Sequence, residues 1–491
     1  MEASTSSLQS EWASGFVSES PSRFHWNRTQ LILQTILQNL CERKFPAMVL
    51  SPRRLRRGKR HLCRFTLGRH SAQRRSQQQM STRALILVEG HSRGNGLRYI
   101  QAAKRLGLHP ITLSTDPAQY AYVAAERSEA IRVNTADLDA LIRECCQLRA
   151  TYDIAGITGF SGDDESVYAT VGKLCRHFDL PGPNPASIER CCDKFVQRQF
   201  LAEAGVPTPA YRLAANASDV ESAVSEIGLP VIVKPAIGSG SMGVRLCRNA
   251  DELVEHTTYL LGGKHRWQSS PRILVEEFAQ GPHYFTEIIG SEVIGIGIGG
   301  FGPPPHFVWR EATFPVPLAD DEHERIADVS LRCLRALGLG WGPTCIELRW
   351  TKRGPVIIEV NPRLAGAPGP QLVQLAYGID LITEHVKLTI GDDCDVHRRH
   401  SHTAAARYIV PDRDGTLDWV AGESRAASVP GVAEVKFYVA PKTPIIRKGD
   451  YRDWIGHVVA ASPSPGRTEA ILQRAVDTID WSIAPFPTVG E

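Results

Sequence analysis

The sequence predicts a globular chain of mixed α/β and α+β class, with several domains behind a basic leader. Three observations support this prediction. The chain has 491 residues, 42% of them hydrophobic, a length that usually accommodates about two to four domains. A strand, glycine turn, helix and strand pattern begins at Arg83. Two strands with polar residues along one face, joined by a short turn, lie around Arg353.

The leader differs in charge from the rest of the chain. Residues 1–79 carry 14 Lys and Arg against 4 Asp and Glu, whereas the remaining residues have a net charge of −7. An organelle-targeting peptide is one interpretation of such an Arg- and Ser-rich segment, and a nucleic-acid-binding tail is another. Because Met80 directly precedes an apolar strand, we favour a third interpretation, a disordered or spurious leader with the folded protein starting at Met80.

Composition excludes several classes of protein. No run of about 18 apolar residues appears, so no membrane-spanning helix is predicted. The 11 cysteines are scattered without CxxC pairs, which disfavours a zinc ribbon and a disulfide framework. The near-balanced total charge gives no general reason to expect a nucleic-acid or membrane partner. We therefore expect a cytoplasmic protein with reduced thiols.

The first folded region is predicted as a small parallel sheet. Arg83–Glu89 and Pro110–Ser114 have the composition of strands, and Leu97–Leu106 between them has the apolar spacing of a helix. Glycines after the first strand can bring N–H groups to an anion, but Gly94 and Gly96 do not complete a dinucleotide-binding GxGxxG pattern. The interpretation as a dinucleotide site is therefore disfavoured.

An acidic turn follows the next predicted strand. The strand covers Ile154–Thr158, and a helix runs through Val171–Phe178. Open α/β sheets place ligands at the carboxyl ends of strands, so Asp163 and Glu165 between these elements are candidates for binding a substrate amine. Helix capping explains these residues equally well.

Two lysines and a glycine loop predict a phosphate-binding centre. Lys194 lies in a helix predicted to run from an N-cap at Ser187 to Ala204. Lys234 lies near the end of a short apolar strand, where a buried cation is costly unless an anion meets it. The loop Gly238–Gly243 then supplies flexible backbone and hydroxyl groups that can surround phosphate oxygens.

The strand Arg272–Glu277 leads through Phe278 to Gly281 and then to the strand Tyr284–Ile289. Backbone groups at such a linker can read an adenine edge, with Phe278 as an apolar wall. An ordinary β-hairpin is the alternative, and this segment alone favours it.

The most informative segment is a predicted antiparallel hairpin. Cys345–Trp350 and Val356–Arg363 are joined by a short polar turn. If the register centres on Arg353, Glu347 lies directly opposite Glu359. Facing carboxylates would be about 4.5–5.5 Å apart at their Cβ atoms and would repel each other unless protonated or bridged by a cation.

Asn361 and Arg363 share the face of Glu359, because alternate residues of a strand point the same way. Two carboxylates and an amide oxygen suit Mg²⁺, which completes its coordination with substrate phosphates and water. Arg363 is placed to stabilise charge on a transferred phosphoryl group. A surface hairpin is disfavoured because the opposite face is apolar.

In combination, these motifs resemble the ATP-grasp superfamily over about residues 83–485. The resemblance implies an N-terminal Rossmann-like pre-ATP-grasp domain at 80–186 and a two-subdomain ATP-grasp domain at 187–395. The lysine and glycine-loop subdomain of the ATP-grasp domain would span about 207–280. A small β-rich C-terminal module would follow at 396–491.

The resemblance also implies roles for individual residues. Arg363 and Lys234 would be catalytic, and Glu347, Glu359 and Asn361 would bind Mg²⁺ or Mn²⁺. Substrate contacts are expected at Arg363, Gly366, Asp163, Glu165 and Glu311. ATP would be bound by Lys194, Lys234, Gly238, Ser239, Gly240, Ser241, Met242, Gly243, Glu276, Glu277, Phe278 and Ala279.

One position departs from the family pattern. Many members carry a glutamate two residues after the linker glycine, whereas this chain has His283 after Gly281. Ribose recognition at this position is therefore in doubt, and Glu277 or Glu287 are the alternatives.

Within the superfamily, Asn361–Gly366 and Leu372–Leu381 resemble the L-amino-acid ligases that make dipeptides and enzymes of the carnosine-synthase type. The C-terminal part also resembles the β-rich module of those ligases and of biotin carboxylases, on the segments Arg407–Val410, Phe437–Val439 and Asp453–Val459.

The implied activity is an ATP-dependent carboxylate–amine ligation through an acyl phosphate, with amino-acid substrates. A carboxylase or purine-pathway ligase using bicarbonate or formate is the alternative, followed by a non-catalytic ATP-binding module. No biotin-carrier Met-Lys-Met sequence is present, which disfavours a self-contained biotin carboxylase. The expected partners are small-molecule carboxylates and amines, without nucleic acid or membrane, and a homodimer is an expected assembly.

Overall fold

A four-stranded parallel sheet begins the folded chain. The computed structural model describes residues 81–89, 94–159, 166–262 and 272–487, so the leader and the acidic turn with Asp163 and Glu165 lie outside the described residues. The strand order is β3-β2-β1-β4, which confirms the predicted parallel sheet. The strands are β1 (Arg83–Val88), β2 (His109–Ser114), β3 (Glu129–Arg132) and β4 (Asp153–Gly159).

Helices cover this sheet and bury its aliphatic residues. The core combines Leu85, Ile86 and Ile111 from the strands with Ile100 and Leu141 from the helices. A 3-10 turn lies at Pro117–Gln119, and the helices are α1 (Gly96–Arg105), α2 (Ala121–Ala125), α3 (Leu138–Leu148) and α4 (Ser166–His177).

The single helix predicted after Ser187 is two helices, α5 (Pro185–Cys192) and α6 (Lys194–Glu203). Asn184, not Ser187, caps α5, and Ser187 donates instead to the carbonyl of Gly338 at 2.7 Å. Asp193 breaks the run because its carboxylate accepts the first backbone N–H groups of α6. The prediction of one continuous helix was therefore wrong.

A second, antiparallel sheet carries the glycine loop. Its order is β5-β8-β6-β7, and the loop Gly238–Gly243 follows β6. Two helices pack on it, and Val220, Val231, Leu253 and Val275 lie in the shared core. The elements are β5 (Tyr211–Ala214), β6 (Val231–Pro235), β7 (Arg245–Cys247), β8 (Ile273–Glu277), α7 (Ala217–Ile227) and α8 (Ala250–Gly262).

An eight-stranded antiparallel sheet forms the largest layer, in the order β13-β12-β9-β10-β11-β14-β18-β16. Ile326 and Leu337 of α9 (Asp320–Leu337) pack on Ile346 and Ile357 of the sheet. Two further helices are α10 (Gly369–Tyr377) and α11 (Leu381–Thr389). The first strands are β9 (His283–Ile289), β10 (Glu292–Phe301), β11 (Trp309–Phe314), β12 (Pro343–Thr351) and β13 (Gly354–Asn361).

The C-terminal strands continue this sheet, because β14 pairs with β11 through Phe314 and Ala404. Hydrogen bonds between strands therefore connect the parts of the chain before and after residue 396. The domain boundary predicted at that residue stays a prediction. A small sheet of order β17-β15-β19 completes the β-rich part. Its elements are β14 (Thr403–Ile409), β15 (Gly415–Ala421), α12 (Glu423–Ala427), β16 (Val432–Phe437), β17 (Pro444–Ile445), a 3-10 turn (Tyr451–Asp453), β18 (Gly456–Ser462), α13 (Pro465–Val476) and β19 (Asp480–Ala484).

The segment after Glu277 joins two different sheets. β8 belongs to the glycine-loop sheet and β9 to the eight-stranded sheet, so the hairpin interpretation of this segment was wrong. The segment is a linker between two sheets, and its contact with an adenine stays a prediction. Among the described residues, every cysteine is a free thiol, and none of the described helices combines the length and apolarity needed to cross a membrane.

Candidate active site

A cavity of about 120 Å³ lies between the glycine-loop sheet and the eight-stranded sheet. Apart from Gly243, all residues predicted to bind ATP line it, and so do Glu347 and Glu359. The structure thus brings these separated segments together in one place, which we call the nucleotide cavity.

Lys194 connects the two walls of the nucleotide cavity. It is the first residue of α6, where Asp193 fixes the backbone by capping the helix. Its Nζ lies 2.7 Å from Oε1 of Glu359 and donates to the carbonyl of Gly238. The side chain is only 8% exposed. This lysine is therefore held at the boundary between the glycine loop and the carboxylate-bearing strand.

Lys234 belongs to a buried charge cluster. Its Nζ lies 2.5 Å from Oε2 of Glu276, whose Oε1 accepts from Nε of Arg198 at 2.7 Å. Burial lowers the pKa of Lys234, although Glu276 opposes the shift. Burial alone would raise the pKa of Glu276, but the charges of Arg198 and Lys234 outweigh it and lower that pKa.

This cluster changes the interpretation of Glu276. Its two oxygens are occupied by two cations, so the carboxylate orients Lys234 rather than extending freely towards an adenosine. Arg198 is completely buried and was missed in the sequence, because an arginine in a helix gives no local sign of a distant partner.

Part of the nucleotide cavity is lined by apolar side chains. Phe278 lies 6.3 Å from Phe307 between ring centroids, and Ile232 and Phe301 also line this part. Glu277 is held from outside, because both of its oxygens accept from Nη2 of Arg353, at 2.8 and 2.7 Å. Apolar side chains beside linker backbone suit a planar base.

The glycine loop is held at its tip and at its C-terminal end. The backbone N–H of Tyr451 donates to the carbonyl of Gly240 at 3.2 Å, and Nε2 of His256 pairs with the carbonyl of Gly243 at 2.9 Å. Burial lowers the pKa of His256 to about 4, so this imidazole is neutral and donates. The sequence pattern identified the loop but neither of these two partners.

Glu347 and Glu359 face each other across β12 and β13, as the sequence predicted. Asn361 lies opposite Cys345 on the same face, is 2% exposed, and its Oδ1 accepts from Nη2 of Arg363 at 3.4 Å. Two carboxylates and an amide oxygen are therefore gathered beside the nucleotide cavity.

His283 lies beside this group. Its Nε2 is 3.2 Å from Oε2 of Glu347, and its side chain is 3% exposed. Burial lowers the pKa of His283. Burial would raise the pKa of Glu347, but contact with His283 outweighs it and lowers that pKa. The residue that departs from the family pattern thus contacts a predicted metal ligand.

The donor set fits a magnesium-type ion that completes its coordination with phosphate oxygens. Among the described residues, no group of three or more His, Cys, Asp or Glu side chains is placed to hold a metal ion. Glu359 is instead paired with Lys194, and Glu347 contacts the imidazole of His283. Hard oxygen donors with a place for phosphate match the preference of Mg²⁺.

A second cavity of about 210 Å³ adjoins the first. Ser239, Gly240, Trp309 and Glu347 line both cavities. Arg363 and Gly366, predicted to contact substrates, line the second one. The junction between the cavities therefore carries a carboxylate, the tip of the glycine loop and a nearby guanidinium group.

The structure does not bring Glu311 to either cavity. Ala312 lines the second cavity, so its neighbour Glu311 on β11 points to the opposite face of the sheet. The Glu311 side chain is 53% exposed and pairs with Arg407 at 3.3 Å. Asp163 and Glu165 lie outside the described residues.

Glu287 is not a nucleotide contact, contrary to one expectation for the ribose. It is completely buried, lies opposite Cys345 on the sheet, and does not line the nucleotide cavity. Burial raises its pKa to about 8, and the nearby backbone of Ala365 and the charge of Arg363 only partly offset this shift. Glu287 therefore lies beneath the segment that follows Arg363.

Two family models match the chain. Residues 227–371 match the model described as an ATP-grasp domain, and residues 407–484 match the model described as the L-amino acid ligase C-terminal domain 2. The first match contains Lys234, the glycine loop and both facing glutamates, and the second lies in the β-rich C-terminal part.

Two curated proteins are similar to this chain in sequence. The chain is 62% identical over 404 residues to the uncharacterized protein y4rH of Sinorhizobium fredii, covering 82% of this chain and 84% of that protein. It is 29% identical over 325 residues to carnosine synthase 1 of Homo sapiens, covering 61% of this chain and 39% of the synthase. The chain therefore spans about two fifths of that longer enzyme.

A solved structure with a similar fold is the L-amino acid ligase from Bacillus licheniformis. The TM-score is 0.70 at 20% identity, and the match covers 82% of this chain and 99% of the ligase. At this identity the similarity concerns the fold.

Proposed function

The chain belongs to the ATP-grasp family of ligases, and from this premise we propose that it joins the carboxylate of one amino acid to the amine of another. The reaction would use ATP and release ADP and phosphate. Its relatives include amino-acid ligases. The observation that carries the proposal is the junction of the two cavities, where Glu347, Gly240 and Ser239 border both.

The junction suits transfer of a phosphoryl group between two bound molecules. ATP in the nucleotide cavity would present its phosphates to Lys194, Lys234 and the glycine loop. A substrate in the second cavity would meet Arg363 and Gly366. An acid and a phosphate bound in this way would lie on either side of one opening.

The proposed reaction has two steps. A carboxylate oxygen attacks the γ-phosphorus, the bond from that phosphorus to the bridging oxygen breaks, and ADP leaves. The amine nitrogen then attacks the carbonyl carbon of the acyl phosphate, phosphate leaves, and the amine loses a proton. Arg363 and the two lysines would stabilise negative charge on the transferred group.

Glu347, Glu359 and Asn361 would hold Mg²⁺ or Mn²⁺ when ATP is bound. Such an ion supplies neutralisation of phosphate charge and orientation of the phosphate oxygens. Lys194 would then exchange its contact with Glu359 for contact with phosphate. The closed glycine loop would exclude water, which otherwise hydrolyses the acyl phosphate.

An ADP-release screen tests the proposal. The purified chain is given ATP, Mg²⁺ and pairs of amino acids, with bicarbonate and formate as separate arms. We expect ADP release that requires both amino acids, and an amide product of matching mass. Release with bicarbonate or formate alone would contradict the proposal, and so would ATP binding without release over the whole panel.

Matched lysine variants show whether the release comes from this site. Lys234→Ala should abolish amino-acid-dependent ADP release. Lys173→Ala, which removes a surface lysine paired with Glu189, should retain it. Unaltered turnover in the Lys234 variant would refute the assignment of the site.

A further inference from the structure

Six aromatic rings from the described residues line the second cavity. They come from α4, from the eight-stranded sheet and from the 3-10 turn Tyr451–Asp453 with the residue that follows it. The rings belong to Tyr168, Phe285, Trp309, Tyr408, Tyr451 and Trp454. Aliphatic side chains fill the intervals between them, at Ala312, Leu364 and Leu372.

One wall of this cavity is a fixed stack of rings from the C-terminal part. Tyr408 and Trp454 stack with centroids 4.2 Å apart and planes 24° apart. Tyr451 meets Trp454 edge-on at 6.0 Å. The indole Nε1 of Trp454 donates to the carbonyl of Trp309 at 3.0 Å, which fixes the orientation of the indole. The wall is thus preorganised.

In the described part of this cavity, charge is concentrated near Glu347. Among the described lining residues, the charged side chains are Glu347 and Arg363, and Glu347 lies at the junction with the nucleotide cavity. The amide of Asn95 is directed to the carbonyl of Ala365 at 3.1 Å. A charged substrate side chain packed against the rings would lose its hydration, which is costly unless one of these two charged groups meets it.

Aromatic rings bind other rings by stacking and by edge-to-face contact. Such pairs add about 0.5–1.5 kcal/mol beyond the burial of apolar area. A site with apolar walls and a few polar groups at one end holds its ligand in one orientation. In this cavity the polar end coincides with the place proposed for the reacting carboxylate.

We propose that the second cavity selects an amino-acid substrate with an aromatic side chain, held against the wall of Tyr408, Tyr451 and Trp454. This inference rests on the proposed function and names the substrate class of that site. The reacting end of the amino acid lies beside Arg363, and its ring packs against the aromatic wall.

A substrate panel tests the inference without any variant. Phe, Tyr and Trp are compared with Ala, Asp and Lys, each varied against every fixed partner, and the order of residues in the product is read by mass spectrometry. We expect kcat/KM for the aromatic amino acids to exceed that for the others at least about tenfold in one of the two positions. Highest activity with Ala, Asp or Lys in both positions would overturn the inference.

The failure of this inference differs from the failure of the proposed function. Amino-acid-dependent ADP release without preference for aromatic side chains would overturn the inference and leave the ligase function standing. Release with bicarbonate or formate alone would overturn both.

Two tryptophan variants of the C-terminal part provide a matched pair. Trp454→Ala removes a ring of the wall, whereas Trp419→Ala removes an indole that is 41% exposed on β15. We expect Trp454→Ala to raise KM for the aromatic amino acid about tenfold or more while KM for ATP changes little. Trp419→Ala should change neither value. Equal KM values in the two variants would overturn the inference.

Trp454→Phe guards against a variant that fails to fold. It keeps an aromatic ring but loses the indole hydrogen bond to Trp309, and thermal unfolding monitors its integrity. We expect most of the preference for aromatic amino acids to return in this variant. A folded Trp454→Phe variant as poor as Trp454→Ala would argue that the ring does not bind substrate.

Discussion

Glu347 lies directly opposite Glu359, and a β-bulge at Ile358 produces this pairing. The turn is only two residues long, because Thr351 pairs with Gly354 and Leu348 with Ile357. Without the extra residue in β13, Glu347 would face Ile358. Bulges reorient side chains next to functional sites, and this one places two carboxylates on the same side of the nucleotide cavity.

The buried cluster around Glu276 should be important for stability. Glu276→Gln leaves Lys234 and Arg198 without their anionic partner, and breaking a buried pair costs about 3–5 kcal/mol. We expect a loss of this size in the free energy of unfolding, measured by urea denaturation. The control is Glu226→Gln, whose ion pair with Arg212 is more than half exposed and should contribute less than about 1 kcal/mol. Equal losses in both variants would contradict the assignment.

Gly240 allows the glycine loop to contact the C-terminal part. Its φ is +63°, and a Cβ there would lie 2.4 Å from Cδ1 of Tyr451. We therefore expect Gly240→Ala to displace the loop and to lower kcat/KM for ATP by about tenfold to a hundredfold. Steady-state kinetics with ATP varied measures this effect.

Gly107→Ala is the control for backbone strain. Gly107 has a φ of +73° with open space around the Cβ position, so the substitution should cost about 1–2 kcal/mol of stability without changing kinetics. If both alanine variants retained full activity, the contact between Gly240 and Tyr451 would have no role in turnover.

His283 should make the metal requirement depend on pH. Because burial lowers its pKa, the imidazole is neutral near pH 7 and gains its proton only below its ordinary value of about 6.5. Protonated His283 then competes with a metal ion for Glu347. We expect the Mg²⁺ concentration for half-maximal activity to rise as pH falls below 6.5, by at most about tenfold per pH unit.

The variant His283→Gln tests the source of that pH dependence. Glutamine does not titrate, so the Mg²⁺ requirement of the variant should change less between pH 5 and pH 7. A requirement that rises equally in both proteins would assign the effect to another group.

Ionisation of Glu287 should lower the free energy of unfolding as pH rises. Its folded pKa of about 8 lies above its ordinary value of 4.5, so the folded protein keeps a proton that the unfolded chain releases. Its stabilising contribution is present below pH 4.5 and declines as pH rises to about 8. We expect Glu287→Gln to remove this decline, measured by denaturation at several pH values. Parallel pH profiles for the two proteins would exclude Glu287 as its source.

Much of the fold could be predicted from local patterns. The helix before Gly107 and the strand carrying Lys234 follow from apolar spacing and turn residues alone, and both are confirmed. The break at Asp193 was missed because one capping carboxylate outweighs a helical spacing that continues on both sides.

The pairing of Glu347 with Glu359 was predicted correctly on an incorrect assumption. A register centred on Arg353 was assumed, but the turn is centred half a residue earlier, and the bulge at Ile358 restores the same pairing. A bulge depends on the packing of neighbouring strands, so spacing along one hairpin does not reveal it.

The partners of the site residues come from distant parts of the chain. Glu276 meets Arg198 across 78 positions, and Tyr451 reaches Gly240 from the C-terminal part. Such contacts depend on how the sheets are arranged in space. The sequence therefore indicated the chemical groups of the site better than the network that holds them in place.

In the proposed reaction, the γ-phosphate of ATP activates a carboxylate. The most direct test uses an amino acid whose carboxylate carries a heavy oxygen isotope, with mass analysis of the phosphate released as the amide forms. We expect one heavy oxygen to appear in the phosphate for each amide made. Unlabelled phosphate, or AMP and pyrophosphate in place of ADP and phosphate, would contradict it.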